Sequence, residues 1–139
     1  MPEYVTDSVR PATFAARAAD SLLRAAGGRS VLLRMPAPAV PADPAEQLGL
    51  ATPAFQDSPL APAVLRSRAG KLELLVSAAA IEALTGSLAR DSASVLFRDA
   101  AGILCDDTLF AIVSATAEQA FGQPYLYRLI LRAPLAHNA

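Results

Sequence analysis

The chain has 139 residues, 53% of them apolar and 18% charged, with a formal net charge of −1. That length is one domain's worth and enough to bury a core without staples. A near-neutral charge excludes nucleic-acid capture by a global basic field, the lone Cys105 excludes an internal disulfide, and no apolar run reaches the ~20 residues of a bilayer-spanning helix.

Much of the apolar content is alanine, which adds little buried area. An apolar, lightly charged surface fits contact with other subunits, and a high-alanine genome composition would give the same figures. The first nine residues read as a polar arm with Tyr4 and Val5 as its only anchors. They lack the basic start and apolar core of a signal peptide, so no secretory leader is expected. From Arg10 to Ala26 the spacing predicts a helix: Pro11 suits its first turn, and Gly27-Gly28 ends it. Its apolar stripe runs through Phe14, Ala18, Leu22 and Leu23, and alanine leaves one face loosely committed.

Arg29 to Met35 reads as a strand with Val31, Leu33 and Met35 on one side. Prolines then crowd the chain at 36, 38, 41, 44 and 53, so residues 36 to 62 read as a Pro-rich extended loop. A loop of this length is expected to reach a neighbouring subunit or to run over the surface. Phe55 to Arg68 is extended, with Pro59 and Pro62 demanding an edge or a bulge. Residues 63 to 76 form a hairpin about Ala69-Gly70-Lys71. Ser77 caps a short helix over Ala78 to Leu84 that stops at Thr85-Gly86, and Asp91 or Ser92 caps another carrying Val95, Leu96 and Phe97. Ile103 to Ala133 is the organising ribbon: a short strand, an Asp106-Asp107 turn, a strand over Thr108 to Ala115, a polar Gly-containing loop, and a long strand over Tyr125 to Ala133. In that last strand Tyr125, Tyr127, Leu129 and Leu131 should face the core, and Arg128 and Arg132 outward. The fold class is therefore α+β: a mostly antiparallel β-sandwich or partly open barrel, with an N-terminal helix and one or two short inserted helices. One domain spans residues 10 to 134, after an arm of nine residues and before a tail at 135 to 139.

Nothing in the chain forms a catalytic constellation. His137, the only histidine, lies in the C-terminal tail with nothing to orient it. Cys105 sits beside two carboxylates, which disfavour a thiolate. Asp106-Asp107 lacks the oxygen count of a calcium loop, and Gly27-Gly28 ends a helix instead of opening one on a phosphate. No enzyme, cofactor or metal is expected. Arginine is the recurring polar theme, at Arg34, Arg66, Arg68, Arg98, Arg128 and Arg132; such strands are half exposed or face a partner's carboxylates.

The order helix, strand, proline-rich loop, hairpin, short helix and closing ribbon resembles the small head–tail connector proteins of tailed bacteriophages and prophages, of the head-closure or stopper type, also called adaptor or head–tail joining proteins. The likeness lies in the Leu74–Leu84 strand running straight into a helix, in Asp107–Ala115, and in the Pro124–Arg132 strand with its Tyr-x-Leu pattern. It implies a structural subunit of a homo-oligomeric ring in the virion neck, made in the bacterial host cytoplasm. The ring would hold portal and capsid to tail and line a channel through which DNA passes without sequence readout. Its partners would be further copies of itself, the portal or adaptor protein and tail proteins, with no membrane. Tyr4, Val5, Phe55, Arg66, Arg68, Arg128 and Arg132 would then serve subunit contacts. A tail-terminator-type ring is a lesser variant, and a small β-barrel module for a ligand or peptide is the alternative from another class.

Overall fold

The computed structural model describes residues 11 to 37 and 54 to 134. Tyr4 and Val5, the core of the proline-rich loop, and His137 lie outside the described residues. The order is helix α1 (Pro11–Ala25), strands β1 (Arg29–Pro36), β2 (Phe55–Arg68) and β3 (Lys71–Ser77), helices α2 (Ala78–Ser87) and α3 (Ala93–Asp99), then β4 (Gly102–Cys105), β5 (Thr108–Ala120) and β6 (Gln123–Arg132).

All six strands pair antiparallel and close into a barrel in the order β1-β2-β3-β6-β5-β4. It is a barrel and not a sandwich. Two three-stranded meanders, β1-β2-β3 and β4-β5-β6, are joined in sequence by α2 and α3 and sealed at the β3–β6 and β1–β4 seams. Closure removes most sheet edges. The interior is filled by alternate residues of each strand, including Leu33, Met35, Leu60, Leu74, Val76, Ile103 and Leu129, all essentially inaccessible. Ile81 and Leu84 of α2 with Leu96 and Phe97 of α3 join the same cluster, so the two helices plug the core they connect. Phe97 meets Tyr127 of β6 with ring centroids 5.7 Å apart, a tilted aromatic pair.

Local chemistry explains the boundaries. The Ser77 hydroxyl accepts from the Ala80 amide and the Ser92 hydroxyl from the Val95 amide, capping α2 and α3. α2 runs past Thr85-Gly86 to Ser87, because a glycine with open space around it can remain helical. Two-residue turns join the hairpins, each with both residues at positive φ: Ala69-Gly70, Asp106-Asp107 and Phe121-Gly122. These are the twist-matched turns of β-hairpins. Pro59 and Pro62 lie within β2, where the β1–β2 register shifts between Arg29 and Val31 and the Ala61–Pro62 bond is cis. Residues 55 to 62 are thus strand: Pro62 falls at the bulge, and Pro59 lies opposite Leu32 on a stretch of β2 that β3 does not pair with.

Two further expectations change. α1 buries Ala19 and Leu23, while Phe14 and Leu22 are 72% and 69% exposed. The helix docks on its Ala19–Leu23 side, and the Phe14–Leu22 stripe is turned away. Residues 116 to 120, expected in a polar loop, continue β5 to Ala120, since β6 supplies a ladder partner for Thr116, Ala117 and Glu118. The register shifts between Glu118 and Gln119, leaving Tyr125 unpaired, and Tyr125 lines a groove with α1 instead of the barrel core. Tyr127, Leu129 and Leu131 do face inward.

Candidate contact surfaces

Cys105 is buried, and its thiol pKa is pushed up, first by burial and also by Asp106, against the pull of the Arg29 guanidinium. Burial among the barrel's core residues and a raised pKa suit a packing role for this thiol. Asp106 is tied by its side chain to Arg29, which holds its carboxyl below the usual range. Among the described residues no group of three or more His, Cys, Asp or Glu side chains could hold a metal.

What the surface does present is apolar. On α1, Phe14, Ala18 and Leu22 fall at i, i+4 and i+8 and form an outward stripe. Beside it Ala15, Ala18, Leu22, Leu75, Tyr125 and Leu126 line an open apolar groove between the helix and the β6 side of the barrel. At the tip of the β5–β6 hairpin Phe121 is 75% exposed at φ 55°. A left-handed backbone costs an ordinary L-residue roughly 1 kcal/mol, and an exposed ring returns nothing to the folded monomer. Val113 and Phe55 are also more than half, or half, exposed.

The arginines are mostly engaged within the chain. Arg34 and Asp57 are direct cross-strand partners and form a bidentate pair at 2.8 and 2.9 Å, with the guanidinium 5.4 Å from the Phe55 ring centre. The hydrogen bond from Arg34 holds the Asp57 carboxyl below its usual range. Glu73 anchors a larger cluster on the outside of the barrel. Its side chain is only 6% exposed and accepts from Arg66 Nε at 2.7 Å, while Arg128 Nε lies 3.4 Å from its other oxygen without a directed hydrogen bond. Arg128 also faces Glu118 at 3.7 Å. By contrast, Arg68 opposes Lys71 across the β2–β3 hairpin, and the β3–β6 register carries Lys71 alongside Arg132. None of these three pairs with an acid among the described residues, and they form a basic row.

Among the described residues, strand edges stay open on the β3 side of β2 over residues 55–62 and on the β4 side of β5 beyond Phe110. β4 pairs with β5 only over Thr108–Phe110, whereas β6 pairs with it from Ala111 to Ala120. Along the β4 side of that stretch a groove of about 500 Å³ separates β5 from α3. Phe97, Ile112 and Tyr127 form its apolar side; Ser92, Ser94 and Arg98 form its helix side.

The structure brings Arg66 and Arg128 together on Glu73, Arg68 and Arg132 into one row, and sets Phe55 apart beside Arg34. It does not gather the expected contact residues at a single point. Phe14, Leu22 and Phe121 were missed as surface residues because their burial depends on which helix face docks and where a hairpin turns. No family model, curated protein or solved structure matches this chain.

Proposed function

We propose that the chain is a structural subunit of a homo-oligomeric ring in the neck of a phage-like particle, between portal and tail, with DNA passing through the lumen unread. Its being a subunit is supported by one observation above the others: the Phe14–Ala18–Leu22 stripe, facing water on the outer face of α1 although a helix ordinarily buries its bulkiest side chains. Phe121, held exposed in a costly turn, points the same way. A head-to-tail ring needs two different faces on each copy, and α1 with the hairpin tip on one hand and the basic Arg68-Lys71-Arg132 row on the other are candidates. The neck location and the portal and tail partners rest on the sequence resemblance to connector proteins. No catalytic role is proposed, and no cofactor.

Native mass spectrometry and negative-stain microscopy over rising concentration test the ring, and antibody labelling of phage-like particles tests its place. The expected results are closed rings and label at the head–tail junction. Leu22→Ser with Phe14→Ser should keep the fold and abolish the rings. A chain that stays monomeric at every concentration, and labels no particle, would overturn the proposal.

The second reading is a peptide-binding module, favoured by the groove along β5. A ligand inside the barrel is disfavoured, since side chains fill the interior.

A further inference from the structure

We infer that the open edge of β5 is completed by residues Glu3 to Asp7 of a second copy, added as an extra strand in the groove between β5 and α3. The choice of a second copy rests on the ring reading above.

The first ground is the ladder. On the β4 side of Ala111–Ala120 no main-chain hydrogen bond reaches β5 from another described residue. Open edges recruit strands, and proteins blunt them with lysine, proline or bulges. Here the stretch holds no lysine or proline, and its one bulge near that end is at Val113, where the β6 register slips between Ile112 and Ser114. Ser114 to Glu118 is left as five regular residues in register with β6.

The second ground is the groove itself. A strand edge beside a helix, with an apolar depression between them, is the geometry in which extended peptides add to sheets: main-chain bonds give affinity, and the depression selects alternate side chains. Phe97, Ile112 and Tyr127 offer that depression.

The third ground is the occupant's chemistry. Glu3-Tyr4-Val5-Thr6-Asp7 contains three residues of high strand propensity in succession. Arg98 is the one charged side chain lining the groove; it is largely exposed, and its Nε lies 3.7 Å from Asp99. An arm segment with two carboxylates and a central Tyr-Val pair complements it. Ten residues precede α1, which extended span at most roughly 33–36 Å, enough to pass from one subunit to its neighbour.

The test is deuterium exchange of those Ser114–Glu118 amides that point away from β6, in the full chain, with assembly read independently by native mass. In dilute monomer these amides should exchange fast, and on assembly slow by tenfold or more. The variant Tyr4→Asp with Val5→Asp should lose that slowing, and a synthetic peptide of residues 1 to 9 added to the variant should restore it. Three results overturn the inference: amides already protected in the dilute monomer, protection on assembly that survives in the variant, or no protection by the peptide. Assembly without protection sinks the arm and leaves the ring standing. No assembly at all sinks the ring reading, and the second copy with it.

Discussion

Glu73 is the residue whose loss the fold should feel most sharply among its charged groups. Its carboxylate stands on the outer face of β3, 6% exposed, between Arg66 on β2 and Arg128 on β6. Glu73→Gln keeps the shape and one acceptor for Arg66 Nε but leaves two guanidinium groups facing each other. A hydrogen bond to a charged group contributes ~1.5–3 kcal/mol, and removing one member of a fully buried pair costs ~3–5 kcal/mol. Here Arg66 and Arg128 are 41% and 32% exposed, so water can re-solvate both. The lower range applies, about 2 kcal/mol. For a domain of this size that lowers the Tm by about 6–10 °C. The assay is thermal unfolding followed by circular dichroism, with Glu118→Gln as a control at the exposed end of the cluster, where the change should stay within about 0.5 kcal/mol. Replacing Arg66, Glu73 and Arg128 together by apolar residues of similar volume should recover most of the loss, since no charge is then stranded. A Glu73→Gln protein melting within a degree of the parent would refute the reasoning: the arginines would be satisfied by solvent, and Glu73 a bystander.

Phe121→Asn should raise monomer stability by about 0.5–1 kcal/mol, because asparagine tolerates the left-handed turn, and should weaken self-association; an unfolding curve and native mass check the two effects. Tyr127→Asp removes the ring that packs on Phe97 and puts a carboxylate against the core, so a loss of about 3–5 kcal/mol is expected, read by chemical denaturation; a well-folded, undiminished protein would show the two faces of β6 reversed. Asp57 titrates below the usual carboxylate range because Arg34 donates to it. A depressed folded pKa means its contribution is present above the unfolded value and lost as pH falls through the folded one. Asp57→Asn should therefore lower stability at neutral pH and flatten the acid limb of the stability profile, measured by denaturation from pH 7 downward.

Local chemistry reached a long way in this chain. The capping serines Ser77 and Ser92, the Asp106-Asp107 and Ala69-Gly70 turns, the hairpin across them, and the inward face of Tyr127, Leu129 and Leu131 were all legible, because each depends on residues close in sequence or on period-two alternation. So were the plain structural roles of Cys105 and the acidic turn. Closure into a barrel was not legible. It depends on β1 meeting β4 and β3 meeting β6, pairings between strands far apart along the chain, and a sandwich would use the same alternation. The extension of β5 through Thr116–Ala120 came from its ladder with β6, which overrode a loop-like composition. The slip between Glu118 and Gln119 then moved Tyr125 out of the inward set.

The contact surfaces divide along the same line. The sequence by itself determined that the chain's charges are few and that arginines recur along its strands. Only the tertiary structure decided which arginines engage Glu73 and Asp57, and that Arg68 and Arg132 meet no acid among the described residues. It also decided that Ala19 and Leu23, not Phe14 and Leu22, are the buried side of α1. A helix can bury either of two apolar stripes, and which one docks is set by the fit of the whole face against the barrel. The bulky stripe is left facing water.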